Sequence, residues 1–484
     1  MAEADDTWSV NANDALLVSL VKPSTDGLKT IASFQPEHTY PIFGDDQRIF
    51  GYQNLKVSLR YHASDMRPNL QVSYSKKFKA VGDTEPTDIH EALEGFLPSV
   101  ALSSPKDFEA AIKQVPTSWT PPGELVTSFD TKDGQYEIWK GSLADPAVKQ
   151  LVNRIQILVS LFIEGGTPIK TESDDDGEAD PLDRWAVFFL YHKQEVVGQP
   201  DKFSYVFAGY STVYQFFLFH GPTPPATPTK QKAAIQPATN DAFELPKGET
   251  PFTDFPCRSR ISQFVIIPPF QGKGSGARLY NTIFKHYLDA KQTAEITVED
   301  PNEKFDDLRD TSDLAFLRKI PEFNDLKINT SIAVDKKGPA PRDIVDHEAL
   351  EKLRLKYKIA PRQFARVTEL HLMSKLPPSV RPGIEVQDSK RPVTKDQEHE
   401  YRLWKLLVKQ RLYKHNIDAL GQLEKPERIE KLDETLANVE FEYARLLTLF
   451  DIRNQKSGAA SNGKRKAIDE PGEPTSKKAR VEDA

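Results

Sequence analysis

One stretch constrains the fold more than any other. Residues 260–300 read in order as a strand, a glycine-rich turn, a helix and a second strand. Residues 261–267 (ISQFVII) form an apolar strand that stops at Pro268-Pro269, because proline has no N–H to offer a ladder. The turn, residues 271–276 (QGKGSG), is followed by ARLYNTIFKHYLD over 277–289. There Leu279, Tyr280, Ile283, Phe284, Tyr287 and Leu288 fall on one helical face. Residues 294–298 (AEITV) supply a strand that runs straight into Glu299-Asp300-Pro301. The unit is a βαβ-type element.

A loop that opens a helix after a strand presents unpaired backbone N–H groups at the positive end of the helix dipole. That environment suits a phosphate or pyrophosphate. Glycines at 272, 274 and 276 let an anion approach the backbone without meeting a Cβ. A triphosphate P-loop fits poorly, since Gly276 is followed by Ala277-Arg278 where that loop needs lysine and a hydroxyl residue. A dinucleotide fingerprint is not excluded by spacing, because Glu299 lies at a strand end. Its first glycine, however, is out of register here. A plain tight turn remains an alternative.

Elsewhere the pattern is looser. Residues 50–61 (FGYQNLKVSLRY) and 70–74 alternate apolar and polar side chains, as half-buried strands do. Residues 105–115 read as a short helix. Residues 147–164 start with helical spacing but end in ILVSLFI, a run that reads as strand. Residues 185–191 (WAVFFLY) and 203–219 are aromatic and β-branched, which predicts buried strands closed near Gly198. Two insertions flank them. Residues 171–183 hold seven acids in thirteen positions, and residues 221–251 hold seven prolines; both read as surface excursions. Beyond about residue 320 the pattern is mostly helical, with Pro361 at a first turn and Thr394 capping a helix to about Leu420. Leu403, Trp404, Leu406, Leu407 and Leu412 form its apolar face, and residues 427–450 offer another helix. Periodicity is lost from Ser457, which predicts a disordered tail.

Charge and cysteine usage narrow the function. Acids outnumber bases, 71 to 64, for a net charge of −7 over 484 residues. That argues against a protein that coats nucleic acid and leaves room for an acidic groove that attracts a basic peptide. A single cysteine, Cys257, excludes an internal disulfide framework and a multi-cysteine zinc site. The start, MAEADDTWSV, lacks the apolar core of a secretory leader. No apolar run approaches the ~20 residues of a membrane span. We therefore expect a soluble protein of a reducing compartment, using no metal and binding neither membrane nor nucleic acid directly.

Residues 271–277 (QGKGSGA) resemble the Gln/Arg-x-x-Gly-x-Gly/Ala motif of the GCN5-related N-acetyltransferases. RISQFVIIPPFQGKGSGARLY and ITVEDPNEKFDDLRD resemble more specifically the type B histone acetyltransferase catalytic subunits. FQPEHTYPIFGDDQRIFGY, LFIE at 161–164 and DRWAVFFLY from Asp183 agree, so the resemblance spans roughly residues 30–320 in order. It implies an α+β fold, a mixed-sheet acetyltransferase core with an N-terminal α/β domain and a C-terminal helical domain. The expected divisions are 1–145, contributing to a histone groove, 146–320 as the coenzyme-binding core, 321–456 as a helical domain and 457–484 as a basic tail.

The resemblance also implies the chemistry. Acetyl-CoA would rest its pyrophosphate on Gln271, Gly272, Lys273, Gly274, Ser275, Gly276 and Ala277, and its arm along the backbone of Phe264, Val265 and Ile266, with Asn302 touching the coenzyme. Glu299 matches the family's general base, with Asp300 and Glu164 as supporting carboxylates. Asp45, Asp46, Trp185, Tyr214, Gln215 and Phe216 match contacts to the histone H4 tail. A WD-repeat histone-binding chaperone is the implied partner. A lysine amine with a reference pKa of about 10.4 must lose its proton to attack, a penalty of about 4 kcal/mol near neutrality, and a carboxylate acceptor answers that need. Cys257 offers a covalent route, but no histidine stands within several residues of it. Lys464-Arg465 and Lys477-Lys478-Ala479-Arg480, eleven residues apart, have the layout of a bipartite nuclear import signal. Residence in both cytoplasm and nucleus is therefore expected. Two other readings stay open: an acetyltransferase for another amine, and a non-enzymatic scaffold of the chaperone complex.

Overall fold

Alternating side chains near the N-terminus build the first sheet of the computed structural model, which describes residues 7–25, 27–173, 177–196, 199–218, 255–334, 340–384 and 393–466. Strands β1 (Leu16–Ser24), β2 (Gly27–Phe34), β3 (Lys56–His62) and β4 (Pro68–Ser73) lie in the order β2-β1-β3-β4. β1 and β3 run parallel, from Leu16↔Val57 to Val21↔His62. Leu16, Val18, Leu20, Val57, Leu59 and Tyr61 are fully buried. Helix α1 (Pro105–Lys113) starts with Ser104 accepting from Asp107 N and proline in its first turn, and packs Phe108 and Ile112 against Val21.

The second sheet carries the site. Its strands are β5 (Glu124–Thr131), β6 (Gly134–Ser142), β7 (Trp185–Val196), β8 (Gln199–Phe217), β9 (Cys257–Ile266) and β10 (Thr293–Val298), in the order β10-β9-β8-β7-β6-β5. Every neighbouring pair is antiparallel except β9 and β10. Phe188, Phe189 and Phe207 in its centre have no exposed surface, each contributing about 1.5–3 kcal/mol by burial. Helix α2 (Pro146–Ile155) is capped by Asp145, which accepts from Ala147 N and Val148 N.

Residues 157–163 depart from the strand reading. Ile157–Phe162 is a helix, α3, in which Ile157, Leu158, Val159, Ser160 and Leu161 are all buried. A helix apolar on every side has no stripe, so its period is invisible. Helix α4 (Ser275–Asp289) begins two residues earlier than its apolar face indicates, and packs on β10, β9 and β7.

The chain divides into two compact units, residues 1–302 with 357–360, and residues 303–356 with 361–484. The second is helical: α5 (Glu303–Leu317), α6 (His347–Lys356), α7 (Pro361–Lys375), α8 (Lys395–His415) and α9 (Lys425–Lys466). Thr394 caps α8 as expected. Its hydroxyl accepts from Gln397 N at 3.3 Å while Gln397 Oε1 accepts from Thr394 N at 3.1 Å. α8 ends at His415 rather than Leu420, and a separate short helix, Ile417–Gly421, follows. α9 continues to Lys466, past the expected onset of disorder at Ser457. Gly198, the insertion at 221–251, and Lys477 to Arg480 lie outside the described residues. The fold is α+β, with a mixed sheet followed by a helical unit.

Candidate active site

The glycine-rich turn is built as an open cradle. Gly272 and Gly274 have φ of 72° and 80°, a left-handed conformation that strains other residues. A Cβ added at either would meet nothing within 4 Å, so the space over the turn is free. Gly274 is the N-cap of α4. Gln271 ties the turn back to β9, its Nε2 donating to Ile266 O at 2.7 Å. Ser275, in the first turn of α4, is buried, and its Oγ has no hydrogen-bond partner among the described residues. A buried hydroxyl left unpaired costs about 1–3 kcal/mol. Gly276 and Ala277 are half-buried within that same turn of helix.

One flank of the turn is aromatic and basic. Lys273 Nζ lies 2.9 Å from Asp133 Oδ2, in the turn between β5 and β6, and that hydrogen bond raises the lysine above its ordinary value. Arg278 stands 4.7 Å over the Phe129 ring. Phe129 stacks on Tyr136, which stacks on His192 at 4.7 Å.

Just before this turn β9 loses a neighbour. Its pairing with β8 runs on to Gly209↔Ile266, whereas its pairing with β10 stops at Ile261↔Val298. A last bond, Glu299 N to Ile261 O at 2.9 Å, closes the seam. Phe264, Val265 and Ile266 therefore continue with β8 on one side and without β10 on the other. A strand edge that has lost its neighbouring strand can take an extended partner by backbone hydrogen bonds.

Glu299 sits where the seam closes. Its carboxylate accepts a short hydrogen bond from Ser262 Oγ and lies 3.1 Å from Arg260 Nη2. Arg260 in turn stands 4.3 Å over the Phe216 ring. From there an aromatic file continues, Phe216 to Tyr214 at 4.5 Å and Tyr214 to Trp185 at 4.8 Å. The indole Nε1 of Trp185 and Nε of Arg260 are buried without a hydrogen-bond partner among the described residues. Period two explains the grouping. Tyr214 and Phe216 alternate along β8, Arg260 and Ser262 along β9, and Tyr214 pairs with Arg260 in register. Gln215, between the two aromatics, pairs with Ser259. A carboxylate with both oxygens engaged still has free lone pairs, so Glu299 can accept a proton.

The other acids are brought to the neighbourhood by loops. Asp300 is exposed, with φ of 31° directly before Pro301. That backbone is sparsely populated for a residue with a Cβ, and it turns the chain sharply away from β10. Glu164 is exposed just beyond α3. Its loop is fixed by Gly165 N donating to Tyr40 OH at 2.6 Å, and by Gln263 Nε2 donating to Thr167 O at 2.9 Å. Tyr40 begins the short helix Tyr40–Phe43, which leads into the exposed turn of Asp45 and Asp46. Those two bonds link the Asp45-Asp46 turn, the Glu164 loop and β9. Among the described residues no hydrogen bond or ion pair joins Glu164 or Asp300 to Glu299. Asn302 is exposed two residues beyond Asp300.

Cys257 is fully buried at the start of β9, and burial pushes its thiol up. A thiol that resists ionisation is a poor nucleophile. Arg260, Ser262 and Gln263 escaped the sequence reading. The signal for the first two was present, since they share a strand face with the residue leading to Glu299's seam.

Comparison with known proteins agrees with this architecture. Residues 8–164 match the family described as Histone acetyl transferase HAT1 N-terminus, and residues 322–377 match Fungal HAT1, C-terminal. A relative from Gibberella zeae is 53% identical over 99% of both chains, and one from Neurospora crassa is 50% identical over 99% of both. A more distant one from Cryptococcus neoformans is 31% identical over 92% of this chain and 99% of its own. All three are named histone acetyltransferase type B catalytic subunit. Relatedness at this level, end to end, makes this chain a member of the histone acetyltransferase type B catalytic subunit family.

Proposed function

We propose that this enzyme acetylates a lysine in the N-terminal tail of newly made histone H4, with acetyl-CoA as the donor. Transfer is direct, within one ternary complex, and Glu299 is the general base. The observation that carries the reading is the position of the Glu299 carboxylate. It is held by Ser262 and Arg260 one residue beyond the last β9–β10 pairing, where β9 continues without β10 beside it.

The open glycines and the orphaned Ser275 hydroxyl fit a pyrophosphate, which makes 271–277 the anchor for the coenzyme. The edge at Phe264, Val265 and Ile266 takes the coenzyme's arm, and Asn302 contributes a further contact. When bound, acetyl-CoA supplies a thioester whose carbonyl carbon is open to an amine. Glu299 takes the proton that the substrate ammonium must shed, directly or through a water molecule. The new amide C–N bond replaces the thioester C–S bond, and the sulfur leaves as a thiolate that is then protonated. A positioned carboxylate base contributes about 10²–10⁴ in rate. Asp300 and Glu164 add negative charge near the acceptor lysine.

The tail is basic and extended, so acids and aromatic walls suit it. Trp185, Tyr214 and Phe216 form such a wall, Gln215 lies on the strand between them, and Asp45 and Asp46 stand exposed on a linked turn. The Arg260 guanidinium, between the Phe216 ring and Glu299, marks a place where a cation is stable. A WD-repeat histone chaperone is proposed as partner. Residence in cytoplasm and nucleus is proposed from the paired basic clusters in the tail.

Purified protein with labelled acetyl-CoA and an H4 tail peptide, beside polyamine and aminoglycoside controls, tests the substrate class. Label on the peptide alone supports it. Label on the small amines instead sinks the histone assignment and keeps the acetyltransferase.

A further inference from the structure

The helical unit holds a cavity of about 520 Å³ between α6, α7 and α8, a size in the range of small-molecule sites. Its floor is apolar, formed by Val345, Leu350, Phe364 and Leu407. Its rim is ionic, and its charges do not balance. Glu351 is matched by Arg354 through a two-pronged contact at 2.7 and 2.8 Å. Glu369 is matched by Arg411 at 2.8 Å and accepts from Tyr443 OH at 3.0 Å. Arg362 and Lys414 are left over. Neither makes a hydrogen bond or close ion pair among the described residues, although Lys414 is felt by Glu351 and Arg362 by Asp306, and both line the cavity together with His415. The charge of Arg362, and after it burial and Arg411, pulls His415 below its ordinary value, the mark of crowded cations. The cavity also takes in Pro361 and Arg362, the first residues of α7, so the positive end of a 15-residue helix adds to the same field.

Two exposed cations that lack a direct hydrogen-bonded partner, with a helix N-terminus beside an apolar lining, are unexpected on a chain of net charge −7. A basic peptide is repelled there. A phosphate is favoured, because guanidinium and ammonium groups bind phosphate oxygens strongly, and the floor accepts an apolar or aromatic body. We propose that this cavity binds a small phosphorylated molecule with an apolar or aromatic body, a nucleotide-like ligand, with Arg362 and Lys414 on the phosphate and Phe364 and Leu407 against the body.

The test is calorimetric titration of the full chain with three probes: ATP, inorganic tripolyphosphate and adenosine. ATP is expected to bind most tightly of the three. The Arg362→Glu/Lys414→Glu double variant is expected to weaken ATP by about tenfold or more, with the melting temperature unchanged. Ala365→Phe, which fills the cavity from α7 without touching charge, is expected to weaken ATP as well. Three results overturn the proposal: no ATP binding up to the order of millimolar concentration, ATP affinity unaltered in both variants, or tripolyphosphate binding as tightly as ATP.

Discussion

Each unit of the molecule has a glutamate facing an arginine, and the two pairs differ chiefly in their access to water. In the sheet unit Glu299 meets Arg260 at 3.1 Å with its side chain 39% exposed. In the helical unit Glu369 meets Arg411 at 2.8 Å with its side chain 3% exposed. Glu369 is bound on several sides, by the Arg411 fork and Tyr443, while its own carbonyl accepts from Trp404 Nε1. It cannot exchange a proton with solvent without breaking the core. Glu299 can, because a solvent-accessible ion pair is worth little and is readily rearranged. The same two residue types thus make a buried structural post in one place and, in the other, a solvent-accessible pair that holds the proposed proton acceptor.

The largest effect that sharpens this contrast is on rate. Glu299→Gln should lower acetyl transfer by about 10²–10⁴ while leaving the melting temperature and acetyl-CoA affinity near wild type. Equal rates in initial-velocity assays remove Glu299 from the reaction. The opposite pattern belongs to the other pair. Arg411→Met leaves a buried carboxylate uncompensated and should cost about 3–5 kcal/mol, read as a drop in denaturation midpoint. A change under about 1 kcal/mol places that pair with ordinary surface ion pairs.

Acid separates the units next. Burial, then the charges of Arg318 and Lys375, depress His371 to about 4. A depressed histidine contributes stability above its unfolded value of about 6.5, and that stability is lost as pH falls toward 4. The helical unit should lose up to about 3 kcal/mol over that window, and His371→Gln should flatten the slope. Unchanged slopes in urea titrations at several pH values contradict it. A smaller effect is expected at the cradle. Gly274→Val forces a branched side chain to φ of 80°, at a strain of roughly 1–2 kcal/mol, so acetyl-CoA affinity should fall about tenfold. The smallest is none: Cys257→Ala should transfer acetyl at the wild-type rate, and a loss that exceeds its loss of stability reinstates a thiol nucleophile.

The two units were unequally legible in sequence. The β9–turn–α4–β10 unit could be read because each piece carries its own local signal: an apolar strand, prolines, glycines with positive φ, and a helical stripe. α5 could not. Its inward face carries Arg309, Asp310 and Asp313, the two acids bonded to Gln363 and Arg366 of α7, so a buried face looks like a solvated charge run. α3 failed for the reverse reason, being apolar all round. Within the site, the glutamate and the aromatics stood out by type and place, whereas Arg260 and Ser262 are ordinary residues given meaning by register with β8 and β10. How far β9 runs on without β10 depends on where β10 stops, which no residue in β9 announces.

The central claim is that Glu299 receives the substrate's proton. Its most direct test is the acetyl-transfer rate of wild type and Glu299→Gln from pH 7 to 10. The free amine fraction rises about tenfold per pH unit below the lysine pKa, so the account predicts that the variant climbs steadily and its deficit shrinks as pH rises. A deficit of the same size at every pH contradicts the account and makes Glu299 a positioning residue.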